Sequence, residues 1–217
     1  MRIGVAIPCY IGHIQDCYRL LETINEQTRL PDQVIVSCSS CKSTDFVQKE
    51  YRFPLTVITT EERKNAGQNR NIAASRLDTD IITFMDADDT MHPQRIEAIE
   101  QAFKEGVDIV LHSFLLNEEC KQEFPKIGEF TVEKDILCQC YSGCIRFKQF
   151  DPNSRIHHSQ VSVTRNAFEA VRFREDKESE SREDCRFCYG VFSLPHIRSA
   201  YLRYPLSKYS PHRTMGY

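Results

Sequence analysis

At 217 residues, with 41% hydrophobic and 27% charged side chains, the chain has enough apolar mass to bury one sizeable core. Its net charge of −3 and its lack of a basic run interleaved with aromatics exclude a nucleic-acid-binding surface and favour a small or carbohydrate-like partner. No stretch reaches the ~20 apolar residues of a membrane span and residues 1–8 are too short for a secretory signal, so the sequence predicts a cytoplasmic protein whose ten cysteines are mostly free thiols.

Residues 2–8 read as a buried strand. Ile14–Gln27 reads as an amphipathic helix with Cys17, Leu20, Leu21 and Ile24 on one face. Gln33–Cys38 is a strand, Ser43–Glu50 a short helix and Leu55–Thr59 a strand; Ala66–Ser75 is a helix, Asp80–Met85 a strand, Pro93–Glu105 a helix and Val107–Phe114 a strand. Such alternation predicts an α/β fold, a Rossmann-like and mainly parallel sheet flanked by helices on both faces. The remainder is less regular. A helix is predicted over Val132–Cys140, strands near Gly143–Phe147 and over Ser159–Thr164, and a short helix over Asn166–Val171. A charged loop over Phe173–Arg182 precedes a helix over Glu183–Val191 and a strand over Ile197–Tyr204. There is no repeat and no interdomain linker, so one domain is expected.

In sheets of this kind ligands bind beyond the carboxyl ends of the strands. Pro8-Cys9-Tyr10, Ser37 to Ser40 and Asp86-Ala87-Asp88-Asp89 all lie at such ends, so three loops converge on one rim. The acidic segment is the most informative of them. Three carboxylates in four residues repel one another unless a cation or polar ligand satisfies them. On an extended chain Asp86 and Asp88 point to the same side, with side chains roughly 7 Å apart, which is wide for one small ion. One carboxylate can then hold the metal while the other binds a neighbouring hydroxyl. The competing reading is an acidic first turn of the helix that follows.

Cys38-Ser39-Ser40-Cys41 and Cys185-Arg186-Phe187-Cys188 are two C-x-x-C pairs, the composition of a four-thiolate zinc site. They lie far apart, and the second falls in a helical pattern. With Cys138, Cys140 and Cys144 looser still, buried thiols are expected.

Four segments, taken in order, carry a family resemblance: Val5-Ala6-Ile7-Pro8-Cys9-Tyr10, Asn65-Ala66-Gly67-Gln68-Asn69-Arg70-Asn71, Phe84-Met85-Asp86-Ala87-Asp88-Asp89 and Arg182-Glu183-Asp184-Cys185-Arg186-Phe187. They resemble the nucleotide-sugar glycosyltransferases of the GT-A fold, especially the large inverting family 2. The resemblance implies a nucleotide-binding half over about 1–115 and an acceptor and catalytic half over about 116–217. It implies a nucleoside-diphosphate-sugar donor, with uracil as the base on family grounds, a divalent cation (Mn²⁺ or Mg²⁺), and a glycan or glycoprotein acceptor.

Pro8, Tyr10, Ser37, Arg70, Asp86 and Ala87 are the residues expected at the nucleotide; the resemblance implies that Tyr10 packs near the base, Arg70 helps hold the nucleotide and Asp86 meets the ribose. Asp88 becomes the metal ligand, with Asp86 and the tail residue His212 as further candidates. Asp184 becomes the general base and Glu183 a support for the acceptor or the backbone. The second strand departs from the family: the usual paired aspartates are replaced by Ser37-Cys38-Ser39-Ser40, so the base contact is missing or made by a hydroxyl. A narrower resemblance, to the N-terminal domain of chlorovirus enzymes that glycosylate the capsid protein, implies a viral capsid acceptor, the host cytoplasm and a domain of a longer polypeptide.

Each residue also has a plainer reading. Tyr10 can cap the core, Arg70 can pair on the surface with Glu61 or Glu62, Glu183 and Asp184 can be helix-start charges, and His212, His157 and His158 can be solvated. Other functions compete too. A dinucleotide oxidoreductase would need a glycine-rich turn after the first strand, which ends instead in Pro8-Cys9-Tyr10-Ile11-Gly12. A sugar-phosphate nucleotidyltransferase and an inactive nucleotide-sugar or glycan-binding module remain as alternatives.

Overall fold

The computed structural model describes residues 1–47, 49–116, 123–134, 138–141, 144–147, 158–177 and 183–210. Strand β1, Ile3–Tyr10, carries no charged side chain, and seven of its eight residues are buried. A run buried on both faces suits a strand at the centre of a doubly covered sheet. Its alternate residues serve two cores: Ile3, Val5 and Ile7 pack with α1 (Ile14–Asn25) on one side, and Ala6 packs on the other. On α1 the buried residues are Ile14, Cys17, Leu20, Leu21 and Ile24, the apolar stripe expected from the sequence.

The chain continues through β2 (Gln33–Ser39), β3 (Leu55–Thr60), α2 (Ala66–Arg76), β4 (Ile81–Phe84), β5 (Thr90–Met91), α3 (Arg95–Lys104) and β6 (Ile109–Leu116). Then come β7 (Glu133–Lys134), β8 (Cys138–Tyr141), β9 (Cys144–Phe147), β10 (Val161–Thr164), α4 (Arg165–Ala170), α5 (Glu183–Phe192) and β11 (Ser199–Tyr209). Helix α3 joins the core with α1, while residues of α2, α4 and α5 share the opposite face with Phe84, whose ring packs against Phe168, Phe173 and Phe187.

Among the described residues the main sheet runs β3-β2-β1-β4-β10-β6-β11-β5, with β7 paired to β11. The first four strands are parallel, as the alternation predicts. Beyond β4 the sheet is mixed, because β10 is antiparallel to both β4 and β6, and β5 is antiparallel to β11. The inversion matters for the site: it brings the start of β10, preceded by Ser159, beside the carboxyl end of β4.

Three local expectations are corrected. Ser43–Asp45 forms a single 3₁₀ turn rather than a longer helix. The described residues of the helix expected over Val132–Cys140 are not helical: Glu133 and Lys134 pair with Tyr201 and Ala200 of β11, and Cys138–Tyr141 pairs with Phe147–Cys144. Strand pairing there outweighs the helical spacing. Finally, β11 runs past Pro205 to Tyr209 through register shifts on either side of that proline. A proline without an amide donor is accommodated at such an irregularity, and the strand carries on to pair Ser207 and Lys208 with Met91 and Thr90 of β5. Its end therefore arrives at the acidic segment.

Candidate active site

Tyr10 closes β1 and is half-buried, its ring edge-on to His13 at 4.5 Å between centroids. A Cβ added at Gly12 would lie 2.5 Å from the Tyr10 hydroxyl oxygen, so the absence of a side chain at Gly12 is what lets this ring fold over the following turn. Pro8 is buried and pairs in register with Ser37.

Ser37 is buried, and its hydroxyl donates to Asn69 Oδ1 at 2.9 Å. It points toward α2 rather than onto the rim. Asn69, also buried, donates to the Cys9 carbonyl at 3.2 Å and to Ser39 Oγ at 3.0 Å, stitching the ends of β1 and β2 together. The hydroxyls of Ser37 and Ser39 are thus engaged in structure, and Ser40 follows them in the left-handed region at φ +58.

The acidic segment forms a turn, not an extended strand: the Asp89 amide donates to the Asp86 carbonyl at 3.1 Å. Ala87 and Asp89 are buried, while Asp86 and Asp88 are partly exposed, so the alternation read from the sequence survives in a different backbone shape. It is not the first turn of a helix, because β5 intervenes before α3 begins at Arg95. The Ala87 side chain belongs to the core beneath the rim.

Helix α2 starts with a reciprocal cap in which Gln68 N donates to Asn65 Oδ1 and Asn65 N to Gln68 Oε1, both at 2.9 Å. That cap fixes the direction in which Arg70 leaves the helix. Its side chain is only 4% exposed; Nη2 donates to Asp86 Oδ1 at 2.6 Å and Nη1 to Glu183 Oε1 at 3.1 Å. The guanidinium carbon also sits 5.6 Å from the centroid of the Phe173 ring. Surface pairing with Glu61 or Glu62 is therefore ruled out. Burial works against the Arg70 charge, but Asp86 and Glu183 more than offset it and hold the pKa above the ordinary arginine value.

Glu183 and Asp184 open α5; Glu183 pairs with this guanidinium, and the guanidinium charge also acts on Asp184. Burial pushes both carboxyls above their ordinary pKa; Arg70 opposes the rise at Glu183, and the Cys185 amide, 2.6 Å from Asp184 Oδ1, opposes it most at Asp184. A carboxylate poised higher than usual suits a proton acceptor. Tyr209, missed by sequence reasoning, joins the group. Its phenol is pushed up by burial and by the charges of Asp89, Asp86, Asp88 and Asp184. No local pattern signals it: Ser207 and Lys208 are both polar, and the strand expected from the sequence stops at Tyr204, before Pro205.

His212 and His157 lie outside the described residues; His158 opens a 3₁₀ turn, His158–Gln160, before β10. Among the described residues no group of three or more His, Cys, Asp or Glu side chains is placed to hold one ion. The C-x-x-C pairs are buried free thiols: Cys38 and Cys41 belong to the core cluster of α1, and Cys188 to that of α5. Separate cores keep the two pairs from sharing a zinc ion. Among the described residues no helix is long and apolar enough to cross a membrane.

The sequence profile of glycosyl transferase family 2 matches residues 4–194. The chain belongs to this family. A Haemophilus influenzae protein described as an uncharacterized glycosyltransferase is 29% identical over 107 residues, 49% of this chain and 36% of that protein. Crystal structures of S. aureus TarS 1–349 superpose on 97% of the chain with a TM-score of 0.66 in complex with UDP, and on 98% with 0.67 in complex with UDP-GlcNAc, each at 16% identity. The fold is GT-A, and membership of the family supports a role in glycosyl transfer. The chain spans 61% and 59% of those two TarS chains.

Proposed function

We propose that residues 1–217 form a single glycosyltransferase domain that moves a sugar from a UDP-sugar to a glycan hydroxyl with inversion, using Mn²⁺ or Mg²⁺. The observation that carries this is the placement of Arg70, which spans from Asp86 on the donor rim to Glu183, the neighbour of Asp184. One cation thereby sets the spacing between the donor carboxylate and the acceptor end of the cleft.

The donor set fits a hard divalent ion. Asp88, with Asp86 beside it, offers carboxylate oxygens but no cage among the described residues, which suits an ion completed by the oxygens of a bound diphosphate. Such an ion would supply Lewis-acid neutralisation of the departing diphosphate. The remaining roles fall to the chain: Tyr10 packs on the base, Asp86, oriented by Arg70, binds the ribose, and Asp184 takes the acceptor proton. Glu183 stays on Arg70 and positions it. His212 follows the described part of β11 by three residues and is the candidate to close over the diphosphate. The TarS complexes with UDP and UDP-GlcNAc support a uridine donor. A viral capsid glycoprotein in the host cytoplasm is the acceptor suggested by the narrower resemblance.

Thermal melting with nucleoside diphosphates and Mn²⁺ tests the donor reading. UDP at 100 times its Kd is expected to stabilise the fold by about 2.7 kcal/mol, and other diphosphates by less. No response to any nucleoside diphosphate, with or without metal, would overturn it.

A further inference from the structure

We infer that Asp89 is a positioning residue that fastens the end of β11 to the donor-binding turn, rather than a third metal ligand. The inference rests on the donor reading above. Asp89 is 1% exposed and both its oxygens are engaged: Oδ2 accepts from the Ser159 hydroxyl, and Oδ1 accepts from the Ser210 amide at 2.8 Å. Ser159 Oγ in turn accepts from the Asp86 amide at 3.0 Å. One buried side chain therefore joins three segments that are distant in sequence: the turn carrying Asp86 and Asp88, the turn that opens β10, and the residue after β11.

The tie is supported from below. Arg95 is fully buried; its Nη2 donates to the carbonyls of Ser159 at 3.0 Å and Phe84 at 3.1 Å, and its Nε donates to His112 Nε2 at 2.9 Å. The backbone on both sides of the Asp89 and Ser159 contact is thus held by one guanidinium. For Asp89 to ligate an ion it would have to give up the buried Ser159 hydroxyl and the part-buried Ser210 amide, at a site that already offers the partly exposed Asp88. Its role is to hold Asp86 and Asp88 in register with Tyr209 and Ser210 at the end of β11.

Three single variants and one double variant test this by calorimetry of UDP with Mn²⁺, each melted first to establish that it is folded at the working temperature. Ser210→Pro deletes the amide hydrogen that Asp89 accepts. Asp89→Ala removes both contacts. Asp89→Asn keeps an acceptor oxygen for Ser210 and can donate from its amide to Ser159. Ser210→Pro and Asp89→Ala are each expected to weaken UDP by about 10-fold, the scale of a hydrogen bond to a charged group, and their combination to be no weaker than Asp89→Ala alone. Asp89→Asn is expected to stay within about 3-fold of wild type and keep its Mn²⁺ response, because the hydrogen bonds and not the charge carry the role.

Loss of the Mn²⁺ response in Asp89→Asn, with Ser210→Pro unchanged, would make Asp89 a ligand and overturn the proposal. So would additive losses in the double variant. If Asp89→Ala does not fold, Ser210→Pro and Asp89→Asn decide the matter between them. A wild-type protein that binds no UDP overturns the donor reading and this proposal with it, whereas binding that all three single variants match overturns the proposal alone.

Discussion

Asp184→Asn is expected to keep its affinity for UDP-sugar within about 3-fold of wild type while transfer falls about 10²-fold or more, the usual scale for losing a positioned base. Asparagine keeps the shape and can still accept the Cys185 amide hydrogen bond through its Oδ1, so the start of α5 is preserved. What it cannot do is take a proton. The same reading sets the pH dependence. Burial raises the Asp184 pKa, and a base works only when deprotonated, so kcat/KM is expected to fall as pH drops through a value above the ordinary aspartate range. In Asp184→Asn that acid limb should disappear. Near-wild-type turnover in the variant would remove Asp184 from the mechanism. Glu183 is a poorer substitute because it is committed to Arg70.

Asp88→Ala is expected to abolish the Mn²⁺ enhancement of UDP binding and to leave the melting temperature of the free protein nearly unchanged. The side chain is partly exposed on the turn, and truncating it opens no core cavity, so the stability change should stay within about 0.5 kcal/mol. Calorimetry of UDP with and without Mn²⁺ reads the first effect and a thermal melt the second. A metal-dependent affinity that survives the substitution would refute the assignment of Asp88.

The parts of this site that sequence reasoning reached are those with a local signature. The apolar run of β1 and the periodicity of α1 gave their elements within a few residues, and the alternation from Asp86 to Asp89 separated the two partly exposed carboxylates from the buried residues between and after them. The parts it missed depend on pairings with no local period. Arg70 meets Glu183 across 113 positions, and Asp89 meets Ser210 across 121. Ser37 was expected at the nucleotide because of its place at a strand end, but that position faces α2, where Asn69 takes its hydroxyl. The same limit explains Tyr209. Pro205 reads as the end of a strand, yet the register shifts around it let β11 continue to the acidic turn.

A transfer assay tests the central claim most directly: the protein with Mn²⁺, a panel of UDP-sugars and glycan acceptors, read by nucleotide release and by the anomeric configuration of the product. The account predicts UDP released one-for-one with transferred sugar, and a glycosidic bond of opposite configuration to the donor. Pyrophosphate in place of UDP, or a product that retains the donor configuration, would contradict it.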